Sequence, residues 1–295
     1  MTGSFALGRR SLILGASATL ISRSAFAQTR TEPDATSHLA DIEAKLGGRL
    51  GLAVLDTVSG KRLSYRCDER FAMCSTFKLL LVADVLSRAG EGRLSLDRHI
   101  PYSAADLLDY APFSREHLAE GSLSIADLCG AALEISDNTA ANLLLGLIGG
   151  PEGLTDYLRG LGDAVTRLDR NEPDLNNNIP GDVRDTTKPD AMITTMSKIL
   201  VGNALASSER GRLIGWMQRC RTGLGRLRAG LPSDWTAGDK TGSGNNGAIN
   251  DVAILWPPGR GPILVAAYLS GSSSSAASLS TAHAKIGAII AAEFA

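Results

Sequence analysis

The stretch Ser75–Ala89, STFKLLLVADVLSRA, carries two reactive side chains at the start of a strongly apolar segment. Its pattern predicts a helix that stops at Gly90, since glycine commonly ends helices. Ser75 and Lys78 are three residues apart, and such positions share one face of a helix. The segment therefore places a hydroxyl beside an amine at the beginning of a helix. A serine needs a base to become a nucleophile, and a buried lysine can serve if its pKa is lowered.

Strand-like segments lie at the two ends of the chain, with helical patterns between them. Strands are predicted at 50–56 and 61–66, joined by a turn at Ser59-Gly60, and again at 235–241, 248–256 and 263–269. Helices are predicted at 34–46, 125–133, 139–148, 152–161, 189–202, 209–219 and 282–293. We therefore predict an α/β (α+β) fold, in which both ends of the chain form one antiparallel sheet flanked by the terminal helices. The middle of the chain forms an all-helical lobe.

The same pattern divides the mature chain into two predicted domains. Residues 28–67 and 220–295 would form a discontinuous α/β domain, and residues 68–219 an all-α domain. A cleft between two such lobes is a common place for a ligand site.

The first 27 residues have the pattern of an export signal. Arg9-Arg10 precede a short apolar run, and Ala25-Phe26-Ala27 is a small-x-small cleavage site. The arginine pair is typical of a twin-arginine signal, with an ordinary secretion signal as the alternative. We expect a mature protein that begins at Gln28, is periplasmic or secreted, and does not insert into the membrane after processing.

The composition excludes several classes of protein. The chain has 295 residues, with 30 basic and 31 acidic ones and a formal net charge of −1. This balance, without a basic block, argues against nucleic-acid binding. The four cysteines and four histidines lack the spacing of a metal site, so we expect no metal and no cofactor.

Three further motifs follow Ser75-x-x-Lys78 in the chain: Ser136-Asp137-Asn138, then Glu172-x-x-x-Asn176, then Lys240-Thr241-Gly242. Each alone has an ordinary structural explanation, such as a helix cap or a strand end. The serine–lysine, Ser-Asp-Asn and Lys-Thr-Gly motifs together, in this order, are specific. On these residues the sequence resembles a class A serine β-lactamase over essentially the whole mature chain. The Glu172–Asn176 pair separates this family from the related penicillin-binding proteins.

The resemblance implies a catalytic role for four residues. Ser75 would attack the β-lactam carbonyl, Lys78 would take part in proton transfer, and Ser136 would pass a proton to the leaving nitrogen. Glu172, with Asn176, would activate the water that releases the acyl-enzyme. Whether Lys78 or Glu172 is the base for acylation is disputed for the family.

Further positions are implied to bind substrate or to support the site. Substrate contacts are expected from Asn138, Asn176, Lys240, Thr241, Ser243, Tyr110 and Arg226. Arg228 is a second candidate for the arginine, and a surface ion pair is the alternative for both. Support is expected from Asp137 and from an Arg170–Asp185 ion pair closing an omega loop over about 170–185. The Glu172-Pro173 peptide is cis in the family.

Two disulfides that occur in the family are not expected here. The position on the nucleophile helix that would pair with Cys129 is Val82, and the one that would pair with Cys74 is Gly244. Cys74 and Cys129 are thus expected to be free in those pairings, and Cys67 and Cys220 have no counterpart that can be assigned.

The expected activity is hydrolysis of penicillins and cephalosporins through an acyl-enzyme by a monomer, as in antibiotic resistance. Alternatives are a D,D-peptidase or a penicillin-sensing domain, either of which would acylate without fast turnover. A serine glutaminase of related fold is disfavoured by the export signal and the omega loop.

Overall fold

The computed structural model describes residues 1–4 and 34–295. The export signal predicted over residues 1–27 therefore lies outside the described residues, apart from residues 1–4. None of the described helices is both long enough and apolar enough to cross a membrane.

The helices and strands of the described residues follow the predicted order closely. The helices are α1 Ala35–Leu46, α2 Phe77–Gly90, α3 Pro112–Glu116, α4 Ile125–Glu134, α5 Asn138–Ile148, α6 Gly150–Gly160, α7 Pro189–Leu200, α8 Ser207–Gln218 and α9 Ala276–Phe294. The strands are β1 Arg49–Asp56, β2 Arg62–Tyr65, β3 Phe71–Ala72, β4 His99–Pro101, β5 Ser122–Ser124, β6 Thr186–Thr187, β7 Thr236–Ser243, β8 Ile249–Trp256 and β9 Ile263–Ser270.

Five strands form one sheet in the order β2-β1-β9-β8-β7, and every neighbouring pair is antiparallel. The first and last strands of the chain meet at its centre, where Leu52 of β1 lies opposite Ala267 of β9. The prediction that the two ends of the chain close into one antiparallel sheet is therefore confirmed.

The sheet separates two hydrophobic cores. Side chains alternate along β9, because successive residues of a strand point to opposite faces. On one face, Val265 and the other odd-numbered residues of β9 pack with Leu39 of α1 and Ile286 of α9. On the other face, Tyr268 and the even-numbered residues 264 and 266 pack with Phe77 of α2 and the helices of the middle segment. The terminal helices thus cover one face, and the helical segment covers the other.

Helix α2 is the centre of the helical core. Every residue from Phe77 to Leu86 is buried, which explains a segment that is apolar on all sides. Lys78 is buried as well, without exposed surface. Burial of a lysine is costly unless its amine is hydrogen-bonded, so its neighbours must supply acceptors.

The structure differs from the predicted elements in local details. Ser75 lies in a 3₁₀ turn, Cys74–Thr76, ahead of α2, and Gly90 is the last residue of α2 rather than its stop. Helix α9 begins six residues earlier than predicted because the Ser275 hydroxyl accepts a hydrogen bond from Ser278 N at 3.2 Å and caps it. The division of the chain into two domains stays a prediction.

Candidate active site

The 3₁₀ turn and the first turn of α2 bring Ser75 and Lys78 to one acidic side chain. The Ser75 hydroxyl donates to Glu172 Oε1 at 3.2 Å, and Lys78 Nζ lies 3.0 Å from the same oxygen. Cys74 has a left-handed φ of 46°, so the chain turns sharply just before Ser75. The predicted pairing of hydroxyl and amine is thus completed by a carboxylate 97 positions further along the chain.

Oxygen atoms surround the Lys78 amine. Besides Glu172, it donates to Ser136 O at 2.9 Å and to Asn138 Oδ1 at 2.6 Å. Complete burial lowers the pKa of Lys78, and the negative charge of Glu172 opposes that shift. The amine is therefore held in a place where it can take part in proton transfer.

Ser136 is held in a backbone conformation that non-glycine residues rarely adopt, with φ at 63°. The next residue fixes it, because the Asp137 carboxylate accepts from Ala140 N at 2.8 Å and from Ser114 N at 2.9 Å. The Ser136 hydroxyl consequently lies between two lysines, 3.3 Å from Lys78 Nζ and 3.0 Å from Lys240 Nζ.

Two asparagine side chains hold the segment that carries Glu172. The Asn176 amide donates to Glu172 Oε2, and Asn142 on α5 accepts from Glu172 N at 3.0 Å and donates to Glu172 O at 2.9 Å. The peptide to Pro173 is cis, as the resemblance implied. These contacts fix both the backbone and the carboxylate of Glu172.

The Arg170–Asp185 ion pair implied by the resemblance is present, with Arg170 Nε 2.6 Å from Asp185 Oδ2. Asp185 is fully buried, and its other oxygen accepts from the backbone N–H of Asp169 and of Arg170 at 2.7 and 2.9 Å. This pair ties the start of the Glu172 segment to its end.

Strand β7 forms the opposite wall. A side chain at Gly242 would stand 2.7 Å from Met73 O and 3.2 Å from Ser75 N, so only glycine lets the strand approach the Ser75 turn. Arg226 reaches the end of the strand, where it donates to Gly242 O at 2.8 Å and to the Ser243 hydroxyl at 2.7 Å.

Lys240 on β7 is a second fully buried lysine. Its Nζ donates to Ser136 Oγ and, at 2.7 Å, to Thr241 O, and it has no carboxylate partner among the described residues. Burial lowers its pKa to about 7, and the nearby charge of Lys78 contributes in the same direction. A carboxylate entering here would restore the charged form.

A cleft of about 380 Å³ lies between these walls. Its lining includes eight of the predicted site residues, namely Ser75, Tyr110, Ser136, Asn138, Asn176, Arg226, Thr241 and Ser243. Tyr110 is half exposed at its rim. The second arginine candidate, Arg228, lies elsewhere, in an ion pair with the buried Asp239. The structure therefore favours Arg226 over Arg228 as the cleft arginine.

Two residues near the reacting groups were not predicted. Asn142 lies four residues after Asn138, on the same helical face, and this spacing could have indicated it. Thr222 lines the cleft with its hydroxyl 2.5 Å from that of Thr241. It sits in a loop without a motif, and the sequence offers no signal for it.

The four cysteines are all free. Cys74 is buried beside Gly244, where a side chain would stand 2.7 Å from its sulfur. Burial raises the pKa of the Cys74 thiol to about 12, so it is not a nucleophile. Within residues 1–4 and 34–295, no group of His, Cys, Asp and Glu side chains is placed to hold a metal ion.

Comparisons with known proteins point to one family. A family model described as the β-lactamase enzyme family matches residues 34–294. The chain is 44% identical over 237 residues to β-lactamase CTX-M-8 of Citrobacter amalonaticus, covering 80% of this chain and 81% of the relative. It is 45% identical over 266 residues to β-lactamase L2 of Stenotrophomonas maltophilia, covering 90% and 88%.

Solved structures agree with the sequence relatives. The ancestral GNCA class A β-lactamase superposes with a TM-score of 0.87 at 51% identity, covering 88% of this chain and all of that one. The five-stranded sheet and the helices are thus shared with a protein of known fold. The chain belongs to the class A β-lactamase family.

Proposed function

We propose that Ser75, Lys78, Ser136 and Glu172 carry out the hydrolysis of penicillins and cephalosporins in this β-lactamase. The class A enzymes hydrolyse the β-lactam amide through an acyl-enzyme on a serine. The observation that carries the assignment is the convergence of Ser75 and Lys78 on one oxygen of Glu172, at 3.2 and 3.0 Å.

Acylation begins with removal of the Ser75 proton. The hydroxyl already donates to Glu172, whereas the Lys78 amine is surrounded by acceptors and offers them its protons. This geometry supports Glu172 as the group that receives the serine proton. Ser136, which lies between the two lysines, is placed to pass a proton on to the leaving β-lactam nitrogen.

The developing oxyanion needs hydrogen-bond donors. The backbone N–H groups of Ser75 and Ser243 are the candidates, because the close approach at Gly242 sets strand β7 against the Ser75 turn. Such donors act on charge that appears only in the transition state, and loss of one costs about 2.7–4 kcal/mol.

Deacylation requires a water beside a fixed base. Glu172 is that base in our proposal, since Asn176 and Asn142 hold its carboxylate and its backbone. In a D,D-peptidase or a penicillin sensor the acyl-enzyme formed with penicillin persists, so neither needs this pair to release it. The Glu172–Asn176 contact therefore supports turnover rather than trapping.

The substrate carboxylate would bind at Lys240, Thr241, Ser243 and Arg226. An ammonium and hydroxyls facing a carboxylate form charge-assisted hydrogen bonds. Tyr110 and Asn138 would contact the rest of the substrate from the opposite wall. We further propose that the enzyme acts as a monomer, reaches the periplasm through its export signal, and is not inserted into the membrane.

The test is nitrocefin turnover by the purified protein, followed by mass spectrometry of a Glu172→Gln variant. We expect multiple turnovers by the wild type. The variant should lose about 10²–10⁴-fold in kcat and accumulate a covalent adduct, because general-base assistance is worth that factor.

Glu152→Gln, at an exposed glutamate on α6, is the matched control and should behave as the wild type. A wild-type enzyme that is acylated once and then stays blocked would overturn the proposal in favour of the peptidase or the sensor.

A further inference from the structure

Four polar side chains form a hydrogen-bonded row from the buried interior to the cleft. Cys220 Sγ donates to Asp239 Oδ2 at 3.3 Å and lies 3.3 Å from Thr222 Oγ1, which lies 2.5 Å from Thr241 Oγ1. Cys220 and Asp239 are buried, whereas Thr222 and Thr241 line the cleft. These contacts link the buried carboxylate of Asp239, on strand β7, to the place where the substrate carboxylate is proposed to bind.

At the inner end of this row of side chains, Asp239 fixes the direction of its hydrogen bond with Cys220. Burial raises the pKa of Asp239, and its ion pair with Arg228 opposes that shift and favours the ionised, acceptor-only form that the Cys220 thiol donates to. The single hydrogen of the Cys220 thiol is thereby used. Towards Thr222, Cys220 can only accept, and sulfur is a weak acceptor.

At the outer end of this row of side chains, the Thr241 hydroxyl must donate a hydrogen bond to the substrate carboxylate. Thr241 has one hydroxyl hydrogen, and it can point either to Thr222 or to a ligand. When a carboxylate occupies the cleft, Thr241 donates to it, and Thr222 must then donate to Thr241. The only hydrogen bond given up is the one from Thr222 to the sulfur of Cys220, so the change costs little.

We propose that Thr222 and Cys220 are positioning residues that direct the Thr241 proton towards the substrate carboxylate. Thr222 supplies the donor that supports Thr241, and the weak acceptor at Cys220 leaves that donor free to turn. This inference rests on the proposed carboxylate site of the same cleft and adds two residues that do not touch the reacting atoms.

The experiment measures kcat and KM for one cephalosporin with a free carboxylate and for its methyl ester. Thr222→Val should raise KM for the acid about fivefold with kcat retained, the factor expected from one ordinary hydrogen bond. Thr222→Ser restores the hydroxyl and should bring KM back towards the wild-type value. The ester should show little of this difference, because it presents no anion.

A second pair of variants tests the role of the Cys220 sulfur as a weak hydrogen-bond acceptor for Thr222. Cys220→Ser introduces a stronger acceptor of similar shape, which should hold the Thr222 proton and raise KM for the acid. Cys220→Ala removes the competing acceptor and should leave KM for the acid at or below the wild-type value. Thermal melting of each variant separates a folding defect from a change in binding.

Three results would overturn the inference while the wild type still hydrolyses nitrocefin: an unchanged KM in Thr222→Val, an equal rise for the ester, or no excess of Cys220→Ser over Cys220→Ala. A wild type that fails to turn over would instead overturn the proposed function, so the two failures are distinguishable.

Discussion

Two fully buried lysines lie on either side of the Ser136 hydroxyl, and their other neighbours differ. Lys78 lies 3.0 Å from a carboxylate, whereas Lys240 donates only to a hydroxyl and a carbonyl among the described residues. Both pKa values are lowered by burial, and for Lys240 the charge of Lys78 lowers it further. The difference supports the two proposed tasks, proton transfer for the paired amine and binding of the substrate carboxylate for the amine without a carboxylate partner.

Loss of the paired lysine should have the largest effect. Lys78→Met removes the proton carrier and leaves the Glu172 carboxylate buried without its cation. We expect kcat/KM to fall on the order of 10³-fold, within the range of general acid–base contributions. The fall should be equal for a substrate acid and its methyl ester. Lys45→Met, at an exposed lysine on α1, is the control, and a variant of Lys78 with near-normal acylation would contradict the assigned task.

Of the ion pairs on the loop that carries Glu172, the buried one should contribute most to stability. Asp185→Asn leaves Arg170 without its buried partner, and such a loss costs about 3 kcal/mol of unfolding free energy. Arg184→Gln, on the same loop, breaks an exposed pair with Asp182 without touching Arg170 and should cost below about 1 kcal/mol. Urea denaturation measures both. Equal losses would show that the Arg170–Asp185 pair has no special role.

Loss of the second lysine should depend on the substrate. Lys240→Met removes a charge-assisted hydrogen bond, worth about 1.5–3 kcal/mol, and kcat/KM for a carboxylate substrate should fall about 10–100-fold. The ester of the same compound should lose much less. If acid and ester fell together, Lys240 would belong with Lys78 and the contrast between the two lysines would disappear.

The pH profile gives the smallest and most specific signature. The pKa of Lys240 is lowered to about 7, so its ammonium is present below that pH and is lost above it. We expect kcat/KM for carboxylate substrates to decline from about pH 7 upwards, by at most about tenfold per pH unit. Lys240→Arg keeps its charge at all these pH values and should flatten the decline. A wild-type profile that is level to pH 9 would refute this reading.

The sequence was sufficient to predict the sheet and the order of the main helices, and it indicated the four motifs that the fold brings together. These features depend on local patterns, such as the apolar run of α2 and the paired spacing of Ser75 and Lys78. The geometry also separates two arginines that the sequence left open, since Arg226 reaches the cleft and Arg228 pairs with Asp239.

Other features depend on contacts between distant residues and left no local trace. Thr222 acquires its role only because the loop after α8 lies against strand β7. The short pairs β3–β6 and β4–β5 have two or three residues per strand, too few for a periodic pattern. Ser136 has an ordinary helix-cap sequence, and its left-handed backbone is seen only in the folded protein.

The central position of β9 has a consequence for biosynthesis. Strand β1 emerges early from the ribosome, yet its main partner ends at Ser270, near the end of the chain. Until that partner is made, β1 and β2 can form only a hairpin, which is marginally stable alone. Strands β7 and β8, which carry Lys240 and its neighbours, therefore lack their central supporting strand until residues 263–270 have been made.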